Sequence, residues 1–336
     1  MISASNKELE ARFNQIITKG RKDNTYKFAL ARFLLEHCNR LDSRHIHEKV
    51  RTSQPEVVPY QDIADAFLSY YWHQECKYRI RQNYNDAKPP SVVTIIREVF
   101  GEKYIPEPFK QMDRYKIEMA QSEIRKRVFG SEKNKTSQVV PRFQNIKEGS
   151  STRRMQVFYD YDDEKEQLRI FPQALMFFYE NYSVLIKSVL LEWAKFLEKI
   201  NTLPRLIAKI ESAEVKRGAL KKYIMIFKDF RSCFYCNTAL DRTEVNVDHF
   251  IPWSYIFEDE SWNLVLSCHR CNMRKNDSLA GTHFLDELIL RNKKYQDRIE
   301  DLRRSLLRLG SDTWQKEITS QYRNCKLYGF SEVKLP

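Results

Sequence analysis

The apolar residues of this chain recur mostly at intervals of three and four, a period that gathers them along one face of a helix. Leu9, Phe13, Ile16 and Ile17 follow Ser5-Asn6-Lys7-Glu8, which has the form of a capping box, and Gly20 closes the run. A second helix is expected from about Thr25, with Tyr26, Ala29, Leu30, Phe33 and Leu34 on one face. Residues 62–81 repeat the pattern through Ile63, Phe67, Tyr70 and Tyr71. A short helix over residues 91–100 ends at Gly101, and a charged amphipathic one over 113–129 ends at Gly130.

The pattern then changes. Residues 131–152 are polar, rich in Ser, Lys and Asn, and predict a loop or connection. Residues 155–161 and 167–171 carry aromatic and aliphatic side chains on either side of an acidic turn, which predicts a hairpin. Pro172 opens a long helix to about Ile200, and Pro204 opens a pair of helical stretches reaching Phe230. Residues 284–309 are helical again, before a shorter helix and a tail. No repeat of fixed period is present, and the aromatic and leucine stripes are core positions.

Composition agrees with the helical pattern. The 336 residues leave room for two domains, and 42% hydrophobic residues point to a folded protein. Eight glycines and eleven prolines are few for this length, which favours helices over many-stranded sheets. The net charge of +12 favours a polyanionic partner, nucleic acid in the first place, over a merely soluble basic surface. With no signal-peptide pattern and no run of eighteen apolar residues, a cytoplasmic protein without a membrane is expected. Seven cysteines fit that reducing compartment, with Cys38, Cys76 and Cys325 packing as small hydrophobes.

The other four cysteines form two matched pairs, Cys233/Cys236 and Cys268/Cys271. Two Cys-x-x-Cys knuckles supply the ligand set of a closed tetrahedral Zn²⁺ site, which is structural because no coordination position stays open. His269 lies inside the second knuckle, but four sulfurs already suffice. The 31 residues between the pairs exceed a simple zinc ribbon and contain Asp248-His249 in an extended run ended by Ile251-Pro252. Asp supplies a hard oxygen ligand for Mg²⁺, and His takes a proton from water near neutral pH. On a regular strand the two point to opposite faces, so they need a local twist or they do different jobs. Asn263 begins an apolar run, while Asn272, Lys275 and Asn276 share one face of a helix starting near Cys271. His45 and His47, and His73 with Cys76, lack further ligands and read as ordinary residues. No glycine-rich phosphate loop is present.

The order Cys-x-x-Cys, Asp-His, Asn-Leu, Cys-x-x-Cys-Asn, x-x-Lys resembles the HNH endonucleases, members of the ββα-metal or His-Me finger nucleases, over about residues 233–279. The resemblance implies His249 as general base, Asp248 and Asn272 as ligands of one catalytic Mg²⁺ or Mn²⁺, and Asn263 as the brace of the loop holding His249. Asn276 is the reserve ligand. Lys275, with Arg274, is implied as a nucleic-acid contact. The family often has His where Asn272 stands, and an amide oxygen suits Mg²⁺ better than a softer metal.

The expected architecture is mainly α. It comprises a helical domain (1–130), a hairpin with long helices that connect and bind DNA (131–227), the zinc-stabilised ββα nuclease module (228–284) and C-terminal helices (285–336). Between residues 228 and 284, six Lys/Arg face eight Asp/Glu, a net of −2 that leaves +14 for the rest of the chain. Substrate capture therefore falls to the flanks, with Arg125-Lys126-Arg127, Arg153-Arg154, Lys216-Arg217, Lys221-Lys222 and Arg303-Arg304 as candidate clusters. The expected activity is metal-dependent hydrolysis of phosphodiester bonds in DNA, with RNA as the other substrate class. The family associates it with restriction or antiviral defence. Two alternatives stand beside it: a non-catalytic zinc-stabilised nucleic-acid-binding module, and a subunit activated by a protein partner or by self-association.

Overall fold

The structure, a computed structural model, describes residues 5–20, 22–85, 87–102, 105, 109–129, 139–148, 151–154, 156–211, 220–240, 245–328 and 330–336. The chain divides into two compact units, residues 1–201 with 206–212, and residues 202–205 with 213–336. The expected segments 228–284 and 285–336 fall together in the second unit, and 131–227 is divided between the two.

The first unit contains α1 (Asn6–Lys19), α2 (Tyr26–Arg40), α3 (Ser43–Thr52), β1 (Glu56–Pro59), α4 (Tyr60–Trp72), α5 (Ser91–Phe100) and α6 (Arg114–Ile124). There follow α7 (Val139–Phe143), β2 (Asn145–Glu148), β3 (Ser151–Arg154), β4 (Tyr159–Asp162), β5 (Gln167–Ile170), α8 (Pro172–Glu180), α9 (Tyr182–Glu198) and α10 (Leu206–Glu211). The Ser5 side chain caps α1 by accepting from the Glu8 amide, as the capping box requires. Its apolar stripe is fully buried, and Phe13 packs edge-on against Phe158 and Phe178. On α2, Phe28 stacks on Trp193 of α9 at 6.2 Å, so the helical periodicity of both elements converges on one aromatic core.

Where the elements depart from expectation, the cause is local. The helix expected over 62–81 ends as α at Trp72 and continues as a π-helical turn, His73–Lys77, which carries the buried Glu75 between Arg79 and Arg97. The helix over 113–129 likewise finishes in a π-helical turn, Arg125–Phe129, and Gly130 lies outside the described residues. The single helix expected from Pro172 to Ile200 is two, α8 and α9, bent by 84° at Asn181. There the Asn181 amide donates to the Phe177 carbonyl (2.9 Å), a side-chain bond that competes with helix continuation. The expected polar connection over 131–152 includes α7 and an antiparallel pair, β2 with β3. The hairpin at 155–171 is present as β4–β5, and β1 adds to it in the order β1-β5-β4. Four residues between two helices gave no sign of that third strand, whose partner lies more than a hundred positions away.

The second unit contains α11 (Lys221–Ile226), β6 (Val245–His249), α12 (Trp253–Ile256), β7 (Leu264–Cys268), α13 (His269–Lys275) and β8 (Leu279–Ala280). Then come α14 (Thr282–Tyr295), α15 (Glu300–Leu309), α16 (Trp314–Leu327) and β9 (Glu332–Val333). β6 and β7 pair antiparallel, from Val245 opposite Cys268 to His249 opposite Leu264, and α13 leaves directly from the end of β7. This ββα module is closed by the parallel pair β8–β9, which ties the chain's end to the exit of α13. No described helix is long and apolar enough to cross a membrane.

Candidate catalytic and metal centre

Both cysteine pairs are presented by tight turns. Asn237, at φ +55°, closes the first, where the Cys233 amide donates to the Thr238 carbonyl (2.8 Å) and the Asn237 amide to the Cys233 carbonyl (2.9 Å). The Phe234 amide bonds to the Leu266 carbonyl, which fastens this knuckle to β7. The second knuckle is the start of a helix: Cys268 is the N-cap of α13 and its sulfur accepts from the Cys271 amide. All four sulfurs lie within 4.8 Å of one another, and Cys236 and Cys268 are 3.8 Å apart. A tetrahedron with metal–sulfur bonds of about 2.3 Å has edges of about 3.8 Å, so the cage fits Zn²⁺. Burial pushes the Cys233 and Cys271 thiols up. Burial acts the same way at Cys236, but hydrogen bonds with Thr238 and the neighbouring cysteines bring that thiol down to about 6.

Asp248 and His249 are the last two residues of β6, in regular register with Val265 and Leu264, so no bulge brings them to one side. Asp248 is 7% exposed and meets Tyr235 and Lys275. The Tyr235 hydroxyl donates to its Oδ2 (2.6 Å), and Lys275 Nζ lies 3.2 Å from Oδ2 and 3.5 Å from Oδ1. Burial, with the Asp248 carboxylate beside it, holds the Tyr235 hydroxyl protonated. His249 is 4% exposed and its Nε2 lies 2.9 Å from Asp259 Oδ1. The alternation of the strand thus gives the two side chains different partners. Neither Tyr235 nor Asp259 stood out in the sequence. Tyr235 lay hidden inside the first knuckle, and Asp259 looked like one acid in the run Glu258-Asp259-Glu260.

Asn263 is fully buried and grips the turn that follows His249 from both sides. Its Oδ1 accepts from the Ile251 amide (2.8 Å) and its Nδ2 donates to the Ile251 carbonyl (2.9 Å), while its own carbonyl accepts from the Phe250 amide. Asn272 is half-buried on α13, three residues before Lys275. The helix stops at Lys275, and Asn276 is an exposed cap at φ +44°, so Asn272, Lys275 and Asn276 do not share one open face. Lys275 is correspondingly no outward phosphate contact. Its ammonium is completely buried and donates to the His249 carbonyl (2.6 Å) as well as facing Asp248. That grip binds the end of β6 to the helix that carries Asn272. A carboxylate and an amide oxygen form a hard donor set suited to Mg²⁺ or Mn²⁺. Arg270 and Arg274, exposed on α13, have no acidic partner among the described residues.

The expected basic clusters look different in three dimensions. Arg125 is bound to Glu166, Lys126 to Glu123, Arg127 to Glu98, and Arg303 and Arg304 both to Glu300. Arg125, Lys126 and Arg127 each meet an acid of their own, and Arg303 and Arg304 share one, so neither run is a bare basic patch. Lys221 and Lys222 are exposed at the start of α11. Lys216-Arg217 and the side chains of Arg153-Arg154 lie outside the described residues.

Residues 233–280 match the HNH endonuclease family, and residues 5–145 match a domain of unknown function. No curated protein and no solved structure matches the chain. The second unit thus carries an HNH endonuclease module in which four cysteines are placed to bind a metal ion.

Proposed function

We propose that this chain is a metal-dependent endonuclease that hydrolyses phosphodiester bonds in DNA, with His249 as its general base. The observation that carries the reading is the grip of Lys275 on both the Asp248 carboxylate and the His249 carbonyl. It holds the Asp-His end of β6 to α13 inside the module that matches the HNH family. In this reading His249 removes a proton from the water that attacks phosphorus in line with the departing 3′ oxygen. Asn263 keeps the turn after His249 fixed, so the ring does not drift from the attacking water. Arg274, with Arg270 one turn before it, attracts the phosphate backbone to this edge. One Mg²⁺ or Mn²⁺ held by Asp248 and Asn272 would supply neutralisation of the charge that builds on the phosphate oxygens. Zn²⁺ in the four-sulfur cage holds the module's shape and stays away from substrate.

Supercoiled plasmid, single-stranded DNA and RNA, each incubated with Mg²⁺ or EDTA, test this reading directly. The His249→Ala protein is expected to lose Mg²⁺-dependent cleavage by ~10³-fold or more while zinc content and melting temperature stay close to those of the parent. Undiminished cleavage by that variant removes the base assignment. Activation by a partner is the second reading, and the burial of Asp248 and His249 favours it, because a strand reaches them only after the covering residues move. In that case cleavage appears on adding the partner and is again lost in His249→Ala.

A further inference from the structure

Three consecutive acids follow α12, and each has a different partner. Glu258 is bound to Arg205. Glu260 accepts from Arg308 (2.5 Å) and from the Ser305 hydroxyl (2.7 Å), which fastens the segment to α15. Asp259 instead turns its carboxylate to the His249 ring, with Nε2 at 2.9 Å from Oδ1. Its own main-chain carbonyl accepts from the Tyr223 hydroxyl (2.6 Å) on α11. The backbone of Asp259 is therefore fixed by neighbours on both sides and from below, without help from its side chain. What the carboxylate adds is a constraint on the imidazole.

That constraint is chemically specific. A carboxylate only accepts hydrogen bonds, so the nitrogen facing it carries the proton. With hydrogen on Nε2, the lone pair of the neutral ring sits on Nδ1. The His249 side chain is 5% exposed and that of Asp259 22%, so the bond is shielded from the solvent competition that weakens a surface pair.

We propose that Asp259 is a positioning residue for the nuclease reaction: it fixes the tautomer and the angle of the His249 ring, and thereby makes Nδ1 the nitrogen that receives the proton of the attacking water. The inference rests on the reading of His249 as base and names a residue outside the Cys, Asp-His and Asn motif positions. The proton moves from water to Nδ1, the hydroxide oxygen forms the new bond to phosphorus, and the P–O3′ bond breaks with its electron pair on the 3′ oxygen, which takes a proton from solvent water. Asp259 goes on accepting from Nε2–H through the step and is not a stop for the water proton.

Kinetics and spectroscopy on the zinc-loaded full chain test it together. With supercoiled plasmid and Mg²⁺, Asp259→Ala is expected to lower kcat by ~10–100-fold with KM within about twofold, the usual scale for removing the partner that orients a functional histidine. Asp259→Asn keeps an oxygen that accepts from Nε2–H and is expected to recover part of that loss. In long-range ¹H–¹⁵N spectra the parent's His249 is expected as the Nε2–H tautomer, and in Asp259→Ala as a mixture. The spectra need no turnover. They decide the contact even where cleavage is too slow to follow. An unchanged tautomer in Asp259→Ala overturns the proposal, and so does an unchanged kcat alongside an inactive His249→Ala. A loss of kcat matched by a fall in zinc content or melting temperature overturns it as well. If His249→Ala cuts normally, the assignment of His249 as base has failed, while the spectra still report separately on the Asp259 contact.

Discussion

At Lys275 a single ammonium serves two acceptors on one strand, the Asp248 carboxylate and the His249 carbonyl, from a position with no solvent exposure. Removing one member of such a pair strands the other in a medium that solvates it poorly. Lys275→Met is expected to destabilise the zinc-loaded protein by ~3–5 kcal/mol, and Asp248→Asn in the same chain to return part of it. Urea unfolding curves of Lys275→Met, Asp248→Asn and the double variant check this, and additive losses would show that the two groups are not coupled. The module was legible in the sequence as residue types at set distances: two cysteine pairs around an Asp-His pair and an Asn-Leu step. The inward turn of Lys275 was not, because helical spacing says which residues share a face and not where the helix stops. Asp259 was equally hidden, since its role depends on a loop returning to β6.

At the scale of elements, the module is held to its surroundings by Arg291 and Asn292 on α14. Arg291 is half-buried, desolvation lowers its pKa to about 9, and it donates to the carbonyls of Leu264 (2.5 Å) and Trp262 (3.2 Å) at the entrance to β7. Its guanidinium lies over the Phe227 ring at 5.4 Å, and Asn292 adds a bond to the same Trp262 carbonyl (3.0 Å). Arg291→Met leaves the Leu264 carbonyl without this donor and is expected to cost ~2–4 kcal/mol. Amide hydrogen exchange should locate the loss in β7. Protection unchanged there would mean that α14 is not what secures the strand. Apolar periodicity predicted most helices within a few residues, as from Ser5 to Gly20, because each buries one continuous stripe. It missed the break at Asn181, where a side-chain bond overrides an unbroken apolar pattern, and it missed β1, whose partner is remote.

For the molecule as a whole, the division into two units predicts two unfolding steps with different metal dependence. The first unit has an aromatic core of its own, built around Phe28, Tyr71 and Trp193. The second is expected to depend on a filled sulfur cage, since the two-stranded sheet beside it is too small to stand alone. One zinc per chain is expected by elemental analysis. Displacing it with an organomercurial should abolish the lower calorimetric transition and leave most of the helical circular dichroism. Loss of the whole helical signal on zinc removal would show instead that the two units fold as one. Charge also reads differently at this scale. The +12 excess survives folding, but Arg125-Lys126-Arg127 and Arg303-Arg304 meet acids, while Arg270 and Arg274 on α13 and Lys221-Lys222 on α11 are exposed.

Cys268 belongs to three structures at once: it ends β7, caps α13 and forms one corner of the thiol cluster. Whatever pulls on that sulfur also sets where the first turn of the helix begins, and Asn272 sits four residues further along. Under the proposed function, a newly made chain would stay inactive until its cage was filled, and oxidation of this one thiol would lower activity without touching His249 or Asn272.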